Sequence, residues 1–307
     1  MAKRSTRRVV IIDPTDWPKS LYDDINWKLL QACTVRHIAI AREALSQGAD
    51  VNCRRSDFLT PLHIATEHND TELVQLLCDQ PSIDIEAKTM HGLTPLHKAA
   101  LLGHSHAILT LLENGAAVNC TDNLRRYPLH YAALHRDVKS ATILLTNNAN
   151  VNVYDVFHES PLYTSVIRRP FYPMIKLLLA YGATVHSEPH QNSLGLLLEA
   201  VLSMKSASDI KILELLFRSD ANVNTTDACG LRTPLHIVAM TGNFELASYL
   251  IEKGADLKWE NRAGRTPMDV AIMCGHFKIA QLIHNSFSTK LKIHRTSSTT
   301  DLTNGQN

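Results

Sequence analysis

Seven times between residues 60 and 266 the chain returns to one short text: a hydroxyl or aromatic residue, then Pro-Leu-His or a variant of it. The first residue of each copy is Thr60, Thr94, Tyr127, Ser160, Ser193, Thr233 and Thr266, at spacings of 34, 33, 33, 33, 40 and 33 residues. A second phrase keeps step with it. It reads Gly48-Ala-Asp-Val-Asn52, Ser82-Ile-Asp-Ile-Glu86, Gly115-Ala-Ala-Val-Asn119, Asn148-Ala-Asn-Val-Asn152, Gly182-Ala-Thr-Val-His186, Asp220-Ala-Asn-Val-Asn224 and Gly254-Ala-Asp-Leu-Lys258. A period of this size means small units that stack on one another, each unable to bury its apolar face alone. It overrides the expectation from 307 residues of about two closed globular domains.

The stretch from His91 to Asn119 shows what each unit must fold into. Thr94 is a good helix N-cap, and Pro95 suits the first helical position, where a missing N–H costs nothing. Ala99 and Ala100 keep a first helix thin, so neighbours approach closely. Gly103 permits a left-handed turn, and Leu111-Leu112 give a second helix its packing stripe. Gly115 ends that helix. Paired leucines recur at Leu76-Leu77, Leu144-Leu145 and Leu177-Leu178.

Seven phased copies with matching exits resemble the ankyrin repeat over roughly residues 20–287. The 34-residue tetratricopeptide repeat is also helical, but its Trp/Gly/Tyr pattern and late Pro are absent. The resemblance implies an all-α ankyrin-repeat solenoid of stacked helix–turn–helix units with β-hairpin or loop fingers. Residues 1–19 are expected to be a flexible basic segment, and 289–307 a disordered Ser/Thr-rich basic tail. Between them lie units at about 20–54, 55–88, 89–121, 122–154, 155–187, 188–226, 227–260 and 261–288, with atypical caps at both ends.

Two places depart from the pattern. In unit 188–226, Ser193-Leu194-Gly195-Leu196 replaces Thr-Pro-Leu-His, and Met204 to Ser208 reads as an inserted loop. The register there is open by about two residues, because Glu199-Ala200-Val201 also fits the small-residue site. The next finger gains a residue (Asp227 to Thr233), so a bulge or hinge is expected.

Sixteen histidines invite a metal or acid–base reading, but position accounts for many of them. His63, His97, His130 and His236 occupy the slot in which the ankyrin family ties neighbouring turns together; His104 and His276 follow the inter-helix Gly. The His104-Ser105-His106 pair has no third ligand nearby. No phosphate-binding glycine loop and no nucleophile–base–orienter set can be named, so no catalysis and no cofactor or metal is expected. The six cysteines form no CxxC and read as free thiols. A net charge of +1, without basic stripes interleaved with aromatics, leaves nucleic acid off the expected partners. No apolar run is long enough for a signal peptide or a membrane span. The expected state is a monomer in the cytoplasm, with the nucleus open through the Lys3-Arg4-Ser5-Thr6-Arg7-Arg8 cluster.

The repeat also serves as a ruler for function. In ankyrin-repeat proteins the finger residues and the ends of the first helices line the usual ligand-binding face. The helix-end column reads Glu67, Leu101, Leu134, Ile167, Ala200, Met240 and Met273. The column after it begins His68, Leu102, His135 and Arg168. Units three to five thus present an apolar strip with arginines at its rim, the composition of a protein interface. The candidate residues are Met90, Leu93, Leu101, Leu102, Leu124, Arg126, Leu134, His135, Phe157, Ile167 and Arg168. The expected function is a non-catalytic adaptor that binds a partner protein on this face. The alternatives are a ubiquitin-ligase substrate receptor and a regulator masking a transcription factor. Such a receptor carries a Leu- and Pro-rich docking box, whereas Leu291 and Leu302 are the only leucines after Phe287 and no Pro follows. Exit asparagines such as Asn119, Asn152 and Asn224 resemble the family's hydroxylation pattern only in part.

Overall fold

The computed structural model describes residues 24–185, 195–204, 210–219 and 221–300, with backbone alone from 289 onward. The expected N-terminal segment, the start at Ser193 and most of the loop after Met204 lie outside the described residues. The chain forms two compact units, one ending at Pro161 and the other beginning at Leu162.

The first unit stacks four helix pairs: α1 (Ile25–Val35) with α2 (Ile38–Ser46), α3 (Pro61–Glu67) with α4 (Thr71–Cys78), α5 (Pro95–Leu102) with α6 (Ser105–Glu113), and α7 (Pro128–His135) with α8 (Val138–Thr146). First helices pack in one row, α1 on α3 on α5 on α7, and second helices in another. Ala65, Ala99, Ala100, Ala132 and Ala133 have no exposed surface, which lets the first row close up. Leu77, Leu111 and Leu144 fill the space between the rows.

The Thr-Pro starts work as local chemistry demands. Thr94 is extended (φ −84°, ψ 167°) and its hydroxyl accepts from the His97 amide, with Pro95 in the first helical turn. Such a cap is worth about 1 kcal/mol. Gly103 closes α5 at φ 72°. Arg36, Asn69 and Arg136 take the same left-handed conformation without glycine. At the exits, asparagines join neighbours: the Asn119 side chain accepts from the Asn150 amide at 2.9 Å and donates to the Asn148 carbonyl at 3.2 Å.

The second unit opens within α9 (Pro161–Tyr163), which widens into a π-helical turn over Thr164–Arg168 and pairs with α10 (Tyr172–Ala180). Pro170 bars the next backbone donor, and the Arg169 amide reaches back to Thr164 O at 2.9 Å. Then come α11 (Leu196–Ser203) with α12 (Ile210–Arg218), α13 (Pro234–Thr241) with α14 (Phe244–Glu252), and α15 (Pro267–Met273) with α16 (Phe277–Thr300). Helix α16 thus runs on across residue 288.

Helix α11 takes the displaced register. Gly195, at φ 74° and ψ 155°, is its N-cap, two residues after Ser193. Ala200 and Val201 then fall where Ala99 and Ala100 sit in α5. Ala200 is fully buried, so its place in the helix-end column is corrected: Leu202, 42% exposed, stands there. The longer finger is also visible. Ordinary fingers close from residue i to i+4, as Asp122 N to Arg126 O; this one closes from Asp227 N to Arg232 O, with Leu231 left-handed.

The six cysteines are free thiols. Among the described residues the fingers are hydrogen-bonded turns with no strand, and no helix is long and apolar enough to cross a membrane.

Candidate functional site

Each finger of the first unit is a five-residue turn, and in the last two its first residue, an aspartate, holds it shut. Asp122 Oδ1 accepts from the Leu124 and Arg126 amides at 2.8 and 2.7 Å. Asp155 Oδ1 does the same for Phe157 and Glu159 at 2.8 and 3.0 Å. A short polar side chain that bonds its own backbone is the usual way to fix such a turn. The Tyr131 hydroxyl donates to Asp122 Oδ2 at 2.6 Å. Burial, then that neighbouring carboxylate, pushes the Tyr131 phenol above its ordinary range.

The fingers are tied to one another. The Asn123 amide donates to His91 O at 3.2 Å, and the Val156 amide to Leu124 O at 3.0 Å. Asn123 Nδ2 donates to Met90 O at 3.1 Å. Arg126 Nε lies 3.6 Å from Asp155 Oδ2. Beneath them runs the imidazole ladder: His63, His97 and His130 reach Leu93 O, Arg126 O and Glu159 O, each at 2.9 Å. His104 Nδ1 meets Thr66 O at 2.9 Å, so it too joins neighbouring repeats.

This construction brings most of the expected site residues into one row. Met90 is 60% exposed, Leu124 40% and Phe157 64%, on three consecutive hydrogen-bonded fingers. Leu101 and Leu134 occupy equivalent places at the ends of α5 and α7 and are half-buried, with Leu102 and His135 exposed beside them. Leu93 is half-buried, and its carbonyl receives His63. Arg126 is also half-buried, and its charge meets Asp155 within the fold. Ile167 and Arg168 belong to the second unit, on the π-helical turn. That unit carries its own exposed helix-end residues, Met240 and Met273.

The candidate residues leave out two exposed members of the row. Val156, on the tip beside Phe157, is exposed. Phe58, on the finger before Met90, is 49% exposed at φ 63°, at the left-handed finger position that Gly92, Arg125 and His158 fill in the next three repeats. A left-handed backbone costs a non-glycine residue about 1–2 kcal/mol. The fold accepts Gly at this position, so the backbone does not require the exposed Phe side chain. The signal was available: a large residue at a glycine position of the ruler.

Gly92 shows how tightly the row is built. A Cβ there would lie 2.6 Å from the Asn123 backbone nitrogen and closer still to its side-chain oxygen, at φ +77°. Gly92→Ala is therefore expected to cost about 2–3 kcal/mol and to loosen the 122–126 finger. Urea unfolding measures the first effect and amide exchange at Asn123 the second. An unchanged midpoint with Asn123 still protected would contradict the close approach.

Among the described residues no group of three His, Cys, Asp or Glu side chains is placed to hold a metal. The family description "Ankyrin repeats (3 copies)" matches residues 29–122, 111–189 and 197–293. The chain belongs to the ankyrin-repeat family, whose repeats are protein-interaction modules. It is 27% identical over 248 residues to the human transient receptor potential cation channel subfamily A member 1, covering 78% of this chain and 22% of that protein. It is 24% identical over 263 residues to ZDHHC13 of Danio rerio, named as a palmitoyltransferase, covering 85% of this chain and 35% of the relative. To the human ankyrin repeat and SOCS box protein 3 it is 34% identical over 87 residues, 28% of this chain and 17% of the relative. The chain thus spans about a third or less of each of these relatives.

Proposed function

We propose that the chain is a non-catalytic interaction module that holds a segment of a partner protein on the finger tips and first-helix ends of its first unit. The observation that carries the reading is the row of exposed apolar tips, Phe58, Met90, Leu124, Val156 and Phe157, the last four on fingers joined by backbone hydrogen bonds. Soluble folds rarely hold a contiguous apolar row rigidly in water without a partner to cover it. Large apolar side chains on a pre-organised backbone are also the type that dominates binding energy. Half-exposed Leu101 and Leu134 supply the floor. Membership of a family of interaction modules supports the same reading.

The test is affinity capture with the full chain beside a Met90→Ser/Leu124→Ser/Phe157→Ser variant. All three side chains are exposed, so the variant is expected to keep its helical circular dichroism and unfolding midpoint. Specific partners should fall by more than about tenfold, as loss of several anchors implies. Equal recovery of the same partners by both proteins would sink the proposal. Co-recovery of ligase adaptor subunits, or of a transcription factor, would assign the role within the binding class.

A further inference from the structure

We infer that the finger row of the first unit takes a linear segment of a partner protein that is both apolar and acidic, its carboxylates facing Arg54, Lys88 and Arg125. This rests on the reading of the finger row as the binding face.

The charge around the row is one-sided once internal pairs are removed. Each nearby acid already has a partner within the fold. Asp57 pairs with Arg55, and Glu67 lies 3.5 Å from Lys98 Nζ. Asp122 holds Tyr131 and two amides, and Asp155 holds Arg126 and two amides. The cations differ. Arg54, at the entry of the first finger, and Arg125, at the tip of the third, are exposed and make no ion pair among the described residues. Lys88, at the entry of the second finger, donates to the neutral Thr121 carbonyl at 2.9 Å; Glu86, two residues before it, lies in its field but spends Oε1 on the Ala117 amide at 2.7 Å. Arg125 holds its place at φ 56°, a conformation that would favour glycine.

The surface therefore alternates apolar tips with uncompensated positive charge. Electrostatic complementarity selects an acidic partner and rejects a basic one. Four fingers, three spacings of roughly the helix-packing distance of 8–10 Å, span a segment of about eight extended residues, which a peptide of about twelve overhangs at both ends. Nothing stacks aromatic faces in series with the cations, since the aliphatic Met90 and Leu124 separate Phe58 from Phe157. That favours a peptide over a nucleic acid strand.

The experiment selects a random displayed library of peptides about twelve residues long on the immobilised full chain. Enriched peptides should combine Leu, Phe, Met or Trp with Asp or Glu well above their library frequency. A representative peptide is then titrated against wild type, the Met90→Ser/Leu124→Ser/Phe157→Ser variant and an Arg54→Gln/Arg125→Gly variant. The arginine side chains are exposed and unpaired, and glycine suits the backbone at 125, so this last variant should remain folded by circular dichroism. Its affinity is expected to fall about tenfold at low salt, with the gap closing as salt rises. Three results would overturn the inference in different ways. Apolar peptides without acids, lost in the serine variant, would refute the charge argument and leave the finger face standing. Peptides that bind the serine variant as well as wild type, or no enrichment at all, would remove both. An oligonucleotide of equal length that binds more tightly, and depends on Arg54 and Arg125, would replace the peptide with nucleic acid.

Discussion

Acidifying the protein from about pH 7.5 to about pH 4.5 is expected to remove about 5 kcal/mol of stability, through two histidines alone. His63 and His97 are fully buried. The Nε2 of each faces a carbonyl oxygen, which can only accept, so Nε2 carries the hydrogen. Nδ1 is then bare and accepts the Thr60 or Thr94 amide at 3.3 or 3.2 Å. A proton on Nδ1 would break that bond and place a charge out of reach of water. Burial is the largest cause of the shift, and it depresses both imidazoles to about 4. His130 and His236 are lowered for the same reason. The unfolded chain takes up protons near pH 6.5 while the folded chain resists. Stability is therefore complete above about pH 6.5 and is lost as pH falls toward about 4. At about pH 4.5 each of the two fully buried imidazoles accounts for roughly 2.5 kcal/mol. The lowered carboxyls of Asp57, Asp227 and Asp269 act in the same direction but below this window. Urea midpoints measured every half unit of pH check the prediction. A flat midpoint down to about pH 5 would mean that the imidazoles are not held neutral.

How much was readable in advance depended on how local the chemistry is. Thr94, Pro95, His97 and Gly103 announce a helix start and stop because cap, first turn and left-handed exit all lie within one helix of text. The α11 start was ambiguous for the same reason. Gly195 caps it without a hydroxyl, and only packing chooses Ala200 and Val201 over their neighbours for the buried side. The site followed this division. Met90, Leu101, Leu124 and Phe157 could be found by counting along the ruler. The role of Arg126 could not, since its carboxylate partner, Asp155, lies 29 residues away on another finger. Phe58 could be found the same way, as a large residue at the ruler position that Gly92 fills in the next repeat, although its left-handed backbone could not. The π-helical turn likewise comes from Pro170 meeting the tertiary fold, which moves Ile167 and Arg168 off an ordinary helix end.

His97→Phe is expected to lower stability by about 2–4 kcal/mol at neutral pH while keeping nearly the same volume. The ring would still meet Tyr131, whose ring stands edge-on with centroids 5.9 Å apart. Packing is therefore largely spared, and the loss isolates the imidazole's hydrogen bonds. Nδ1 faces both the amide and the hydroxyl of Thr94, at 3.2 and 2.9 Å, and the buried amide would be left without an acceptor. The Arg126 carbonyl would lose Nε2 but keep the Asp122 amide at 3.0 Å. An unsatisfied buried polar group costs about 1–3 kcal/mol and a lost hydrogen bond about 1 kcal/mol more. The effect should be directional as well as large. Arg126 O is where the ladder grips the 122–126 finger, so amide exchange should rise from Asn123 to Arg126 and much less at Asp57 to Leu59, whose finger does not contact His97 through the ladder. The acid dependence should shrink too, because one of the two strongly depressed imidazoles is gone. Any partner held by Leu124 and Arg125 should bind more weakly, even where the variant remains fully folded. A variant with wild-type midpoint and unchanged exchange would show that the finger is positioned without His97. A loss of stability with undiminished pH dependence would place the titrating groups elsewhere. The expected pattern, with stability, finger order and acid sensitivity moving together, makes the ladder the physical link between the repeat core and the exposed tips.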